Sequence, residues 1–483
     1  MSRPIARPAG RPNILIVMSD QHAARVLGAA GDPAAETPAL DRLARSGTRF
    51  DTAYCSSPLC VPSRMAFLTG LEPHVSGVLS NDDFLPSDIP TFAHALGAVG
   101  YDCRLIGRMH FYGYDQLHGF ADRPIGDIGP GWPGAGAPDI GPLTATRGNR
   151  GDQMQGSGVG ETSYQAFDLA VAEAGIETLA GLCAARDAGG APFLALVSLF
   201  CPHPPYIALP SDHDAVAEKV GPPRLDPPTT RHPALSDWAD AGRVGDIGPD
   251  AALRARRAYY GLVRMTDRLA GRVIDAVSER EDTIVIYLSD HGEALGERGL
   301  WWKSTFFDES AKVPLIVAGP GVPQGAVDRR VTGLTDLTAT LLDWAGADPL
   351  PEQSGRSWLA PGPWDDRALS SYYGGLMNIQ TGALRHRMVR RGALKLCYYH
   401  GHESTLFDLE SDPDEVHDLA ADRPDMVGEL LTELQLGWDA EALARRQHLT
   451  SARTRVIRNW VQSVAPEERL RWRDPHPERN RHL

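Results

Sequence analysis

Apolar runs of strand length alternate with amphipathic stretches of helix length through the first two-thirds of the chain, and that alternation leaves few folds open. NILIVM (13–18) reads as a buried strand. Thr37-Pro38 then opens a helix, an N-cap residue followed by proline at the first helical position, and Gly47 closes it. A helix over 90–100 precedes a short strand over 101–107, and a long helix over 163–189 precedes a strand over 192–200. A helix over 254–277 precedes a strand over 282–288, and a strand over 313–319 precedes a helix over 334–347. Repetition of this kind predicts an α/β fold, a mostly parallel sheet flanked by helices on both faces.

With 483 residues, the chain is too long for one small core. Two stretches interrupt the alternation: 123–160 is rich in glycine and proline, and 202–250 in proline. Both are expected to be long loops. Beyond about residue 350 the texture changes. The segments 387–400 and 404–420 read as hairpin strands around a turn, followed by a helix. The expected organisation is a large domain over 1–360, a smaller α+β domain over 361–440, and an arginine-rich tail over 441–483 that carries Trp460 and Trp472. No internal repeat is visible.

A formal net charge of -14 argues against a nucleic-acid binder, which needs a basic footprint. It leaves room for an anionic small substrate in a local cationic pocket. No apolar run approaches a membrane span, and the run after the basic N-terminus is too short for a signal-peptide core. No membrane partner and a cytoplasmic location are therefore expected. Six cysteines without regular spacing do not form a disulfide framework.

In an open parallel sheet, ligands bind beyond the carboxyl ends of the strands. The strand over 13–18 is followed by Ser19-Asp20-Gln21, and that over 101–107 by Arg108-Met109-His110. The strand over 192–200 is followed by Cys201-Pro202-His203, and that over 282–288 by Ser289-Asp290-His291. One such residue is commonly a loop-start cap, but four strands delivering ionisable groups to one edge point to a shared site. If the first and last of these strands pair, Asp20, Asp290 and His291 become neighbours. Two carboxylates brought together repel and call for a cation. With the Gln21 carbonyl they make a mainly oxygen site for a hard divalent ion, calcium first, with manganese or magnesium left open by the imidazole. A bare Asp-His pair also fits an N-cap and a core histidine.

CSSPLCVPSRMAFLTG (55–70) adds a nucleophile. Cys60 stands just before Pro62-Ser63-Arg64, where a helix begins, and the free N–H groups of a first helical turn attract an anion. Cys60 is then a thiolate of depressed pKa or a buried structural cysteine; the structural reading is the one expected for Cys55, Cys103, Cys183 and Cys397, with Cys201 open.

C-V-P-S-R followed by M-A-F-L-T-G resembles the signature of the type I, formylglycine-dependent sulfatases, and only Cys60 satisfies it. NILIVMSDQ, GRMHF, SDHGE and LFDLESDPDEVHDLA fall in that family's order, so the resemblance spans nearly the whole chain. It implies the alkaline-phosphatase-like α/β fold with a small C-terminal domain. It also implies that a formylglycine-generating enzyme oxidises the motif cysteine to an aldehyde, whose hydrated gem-diol attacks sulfur with help from the metal. By resemblance Asp20, Gln21, Asp290 and His291 hold the metal together with the group at position 60. Arg64 holds the gem-diol, His110 is its base or hydrogen-bond partner, and His203 and Lys303 bind sulfate and assist the leaving oxygen.

Gln21 and His291 stand where many arylsulfatases have aspartate and asparagine, and in this they resemble choline sulfatases and phosphonate monoester hydrolases. Arg108 stands where a lysine is usual, a planar fork in place of a point donor. GRMHFYGYDQLHGF and LGERGLWWK most resemble choline sulfatase, which makes a small alkyl or aryl sulfate, choline sulfate included, the expected substrate. A quaternary ammonium needs an aromatic cage, to which Trp132, Trp301 and the tail tryptophans are candidates. SSYYGGLMNIQTGALRHRM (370–388) departs from the choline-sulfatase pattern. Alternatives are a phosphonate monoester or phosphodiester hydrolase on the same scaffold, and a catalytically dead sulfatase-like binding protein. Oligomeric state is open, with a homo-oligomer among the options.

Overall fold

The computed structural model describes residues 5–128, 154–242, 244, 247–374 and 384–464. Among them a large sheet runs in the order Ala326–Asp328, Gly47–Phe50, Leu315–Ala318, Thr283–Ser289, Asn13–Asp20, Phe193–Pro202, Asp102–Gly107. The last four strands are mutually parallel. Their apolar runs are continuous rather than alternating because both faces are covered. Leu15, Val17, Ala195, Val197 and Tyr287 enter one hydrophobic core. Ile14, Ile16, Met18, Leu194, Leu196, Ile286 and Leu288 enter another on the opposite face. The helices Ser163–Asp187 and Pro249–Asp275 supply the first core, and Cys60–Thr69, Phe92–Ala98 and Leu334–Ala345 the second. Each fully buried aliphatic side chain contributes roughly 1.5–3 kcal/mol, so these layers hold the strand ends rigidly.

A second, antiparallel sheet follows in chain order: Arg367–Tyr372, His386–Arg391, Leu394–Tyr398, Thr405–Asp408. Its period-two alternation divides its side chains between two partners. Val389, Leu396 and Leu406 pack under Leu430 and Leu434 of the helix Pro424–Leu434. Met388 and Cys397, one residue out of step, join the first core of the main body.

Some elements differ from the sequence expectation. Gly47 closes the helix Pro38–Ser46 as expected, but in extended rather than left-handed conformation, because it also begins the strand Gly47–Phe50; an added Cβ there would lie 2.1 Å from the Val317 carbonyl oxygen. The strand Leu315–Ala318 runs antiparallel to both neighbours. The stretch 202–250 is not one long loop, since Pro210–Asp214 and Pro233–Gly242 are helices and a longer one starts at Pro249. Each begins on proline, whose fixed φ and missing N–H suit a first turn. Most of the glycine-rich stretch 123–160, with Trp132, lies outside the described residues, as does much of 370–388 and all of the tail beyond 464, with Trp472. Among the described residues no helix is long and apolar enough to cross a membrane.

Candidate active site

The register of the parallel strands places the ionisable groups. Ser19 pairs with Ser289, so Asp20 and Asp290 leave adjacent strands at the same level. Gly107 pairs with Ser198, which brings the segments of Arg108 and His203 to that edge. The helix Cys60–Thr69 ends its approach there, with its first residue under the strand tips. One ligand atom each from Asp20, Cys60, Asp290 and His291 falls within a mutual 4.8 Å, all four residues buried.

Two arginines organise the carboxylates. Arg64 donates from Nε to Asp290 Oδ2 at 2.7 Å and from Nη2 to Asp20 Oδ2 at 3.1 Å. Its Nη1 donates to the Arg108 carbonyl and the Ser198 hydroxyl. Arg108 Nε donates to Asp20 Oδ2 at 2.6 Å. Both Oδ2 atoms are thus engaged from outside. Both Oδ1 atoms turn inward, each 3.7 Å from His291 Nε2. Burial and Cys60 oppose ionisation of Asp20, but Arg108, His203 and Arg64 outweigh them and hold its carboxyl well below the usual range. Asp290 is pushed the other way, by burial and by the charge of Asp20, against the pull of Arg64.

His291 is set up as a ligand. Its Nδ1 lies 3.0 Å from the Gly292 carbonyl, which can only accept, so Nδ1 keeps its proton and Nε2 is the nitrogen turned to the cluster; burial disfavours charge on the ring, but Asp290 and Cys60 outweigh it and raise its pKa, and a bound cation would take the place of the Nε2 proton. Two inward carboxylate oxygens and an imidazole nitrogen fit a hard to borderline divalent cation.

Cys60 differs from every other thiol in the chain. Burial opposes its ionisation, but Lys303, His291, His110 and His203 pull it well below the ordinary value. Lys303 Nζ donates to Sγ at 3.2 Å, and His291 Nε2 lies at 3.2 Å. The other five cysteines are unpaired and all pushed up, chiefly by burial: Cys103 and Cys397 to about 12, with Cys55, Cys183 and Cys201 also raised. Position 60 also opens a helix, whose dipole favours negative charge there.

Residues 12–347 match the family model described as "Sulfatase", and residues 296–436 match "N-sulphoglucosamine sulphohydrolase, C-terminal". The chain belongs to the sulfatase family. A choline-sulfatase of Rhizobium meliloti (strain 1021) is 34% identical over 93% of this chain and 91% of its own. Arylsulfatase K of Homo sapiens is 28% identical, over 87% of this chain and 81% of its own. In structure the chain resembles the phosphonate monoester hydrolase of Agrobacterium radiobacter, with a TM-score of 0.70 at 24% identity, over 90% of this chain and 96% of that one. The fold is therefore alkaline-phosphatase-like, and the protein is a sulfuric ester hydrolase.

The structure brings Asp20, Gln21, Cys60, Arg64, Arg108, His110, His203, Asp290, His291 and Lys303 to one place. His110 takes the left-handed region (φ 59), with its N–H on Asp127 at 2.9 Å. Its Nδ1 accepts from Arg108, which leaves the other ring nitrogen for the hydrogen bond to Cys60. His203 donates from Nδ1 to the Pro204 carbonyl at 2.7 Å; burial and Lys303 push its pKa down to about 4. Lys303 also donates to Gln21 Oε1. Gln21 (φ 70), Trp302 (φ 61) and Ser304 (φ 78) share the left-handed backbone of His110, strain concentrated where the site is built. Trp301 is buried in the main core. The site also includes Ser198, Asp127 and Glu293, which sequence reading did not single out. Only Glu293 carried a signal, two residues beyond His291 in SDHGE.

Proposed function

We propose that this sulfatase hydrolyses a small sulfate monoester to alcohol and inorganic sulfate, with choline sulfate the first candidate, by way of a formylglycine formed from Cys60. The observation that carries the reading is the singular state of Cys60: of six cysteines it alone is drawn toward its anion, at a helix start, among two carboxylates, three histidines and a lysine. Its partner during maturation is a formylglycine-generating enzyme. Asp20, Gln21, Asp290 and His291, with the modified residue 60, would hold a divalent cation; calcium is the first choice, with manganese and magnesium the alternatives. When present, the hydrated aldehyde supplies a hydroxyl nucleophile and the cation lowers its pKa and neutralises charge.

The protein's own groups do the remainder. Arg64 and Arg108 fix the carboxylates. His110, its Nδ1 held by Arg108, donates its other ring N–H to the group at position 60 and steadies the negative charge that develops there. Lys303 donates to the sulfate oxygens and to the departing alcohol oxygen as charge develops there, and His203, its Nδ1 proton held by the Pro204 carbonyl, offers Nε2 to the site as a proton acceptor. The similarity to a choline-sulfatase along nine-tenths of both chains supports choline as the alcohol. Unpaired cysteines fit a reducing compartment, and we assign the protein to the cytoplasm. We divide the chain into the catalytic domain over 1–360, the α+β domain over 361–440 and the tail.

The test compares choline sulfate, an aryl sulfate and a phosphonate monoester side by side on one aldehyde-bearing preparation. A kcat/KM highest for choline sulfate is expected. A preference for the aryl ester removes choline, and a preference for the phosphonate removes sulfate as the main substrate.

A further inference from the structure

We infer that Glu293 is a positioning residue that fixes which end of the Gln21 carboxamide faces the cation site and where Lys303 stands. The inference rests on the reading that Gln21 helps to hold a cation. Glu293 is fully buried, and each of its oxygens accepts two hydrogen bonds. Oε1 accepts from the backbone N–H of Leu295 and of Trp302, both at 2.7 Å. Oε2 accepts from the Tyr206 hydroxyl and from Gln21 Nε2.

The polarity of Gln21 follows from its neighbours. A carboxylate only accepts and an ammonium only donates. Glu293 therefore takes the Nε2 end, and Oε1 is left for Lys303, toward Cys60. The same carboxylate pins the backbone of Trp302, the left-handed residue directly before Lys303. Through Tyr206 it also reaches the segment just beyond His203. From behind, the Tyr259 hydroxyl donates to the Gln21 carbonyl at 2.7 Å, and the Gln21 N–H donates to Asp290 Oδ1 at 3.0 Å. With main chain held on both sides and the carboxamide bonded to Glu293 and Tyr206 at one end and Lys303 at the other, the choice left to Gln21 is which way its amide faces, and Glu293 decides it.

A carboxylate that merely staples a loop and one that sets amide polarity respond differently to a swap. In E293Q the new Oε1 can still accept both backbone N–H groups, but its Nε2 now faces two donors. Gln21 must turn its oxygen toward it and present its NH2 to Lys303. In the double variant Q21E/E293Q, residue 21 again offers an acceptor at both ends. Calcium and manganese are titrated calorimetrically into wild type, E293Q and the double variant, with thermal melting and with kcat and KM on an aryl sulfate.

The expected result is a loss of metal affinity in E293Q of about 10–100-fold, the usual effect of an outer partner of a metal ligand, and recovery of most of it in Q21E/E293Q. Unchanged affinity in E293Q, or a double variant that binds no tighter than E293Q, overturns the inference. If E293Q fails to fold, a folded, metal-binding double variant supports it and an unfolded one overturns it in favour of a purely structural role. Wild type that binds neither ion strikes down the cation reading itself, before any variant is compared.

Discussion

Replacing Lys395 with methionine removes the charge that joins the small sheet to the loop carrying Lys303. The Lys395 side chain is fully buried. Its ammonium donates to the Phe306 carbonyl at 2.8 Å and to Asp308 Oδ1 at 2.7 Å, and lies 2.5 Å from Glu415 Oε1. Burial disfavours its charge, but Asp308 and Glu415 outweigh burial and raise its pKa. Glu415 Oε2 in turn accepts the Asp308 backbone N–H at 2.7 Å. Methionine keeps the volume and leaves two carboxylates facing each other. Removing one partner of a buried ion pair costs about 3–5 kcal/mol. Asp308 keeps 21% of its side chain exposed, so water recovers part of that, and about 3 kcal/mol is expected, roughly a hundredfold in the folding constant. The loss depends on pH. Burial, then Asp308 and Glu309, push Glu415 up to about 7 from an ordinary 4.5 despite Lys395. Between those values the folded state holds the extra proton, so an unpaired Glu415 is relieved by acid and K395M loses less at pH 5 than at pH 8. Urea unfolding at both pH values, followed by tryptophan fluorescence, measures this. A loss below about 1 kcal/mol, the scale of a surface pair, would refute the reasoning.

Chelation is expected to abolish turnover and added calcium or manganese to restore it; full activity in a verified metal-free preparation would count against the cation site. His22 is buried, accepts from the Tyr287 hydroxyl and donates to the Val26 carbonyl, and burial lowers its pKa from 6.5 to about 4. The unfolded chain then binds the extra proton, so stability falls as pH drops through that window, by about 3 kcal/mol in all. His22→Gln, which keeps an acceptor and a donor, should flatten that part of the pH–stability curve, and an unchanged slope would exclude His22 as its source. Gly47→Ala should destabilise by about 1–3 kcal/mol through the clash with the Val317 carbonyl, read as a lowered urea midpoint; an unchanged midpoint would show that the two paired strands move apart freely.

The sequence reveals most about this protein where one residue type answers one physical demand. Continuous runs such as NILIVM mark strands covered on both faces, and the polar residues that end those runs fall on one edge because the strands are parallel. Cys60 is visible through the residues around it. What stays hidden depends on partners distant in sequence. GTRF (47–50) and AVD (326–328) are too short and too polar to read as strands, and an apolar run such as LIVA (315–318) does not encode its direction. Proline at 210, 233 and 249 reads equally as loop or as helix start. Arg64 was expected to hold the nucleophile. It also grips the two carboxylates, a geometry set by where strands 270 residues apart end. Glu293 shows its importance only once Gln21, Tyr206 and Trp302 are seen around it.

In the proposed mechanism Cys60, oxidised, is the working group of the site. The most direct measurement is the mass of the peptide containing residue 60 from the active protein, quantified against sulfate release across preparations of differing maturation. The aldehyde is expected at position 60, with turnover proportional to its fraction and absent in Cys60→Ala. Full turnover by protein whose Cys60 is entirely thiol would contradict it.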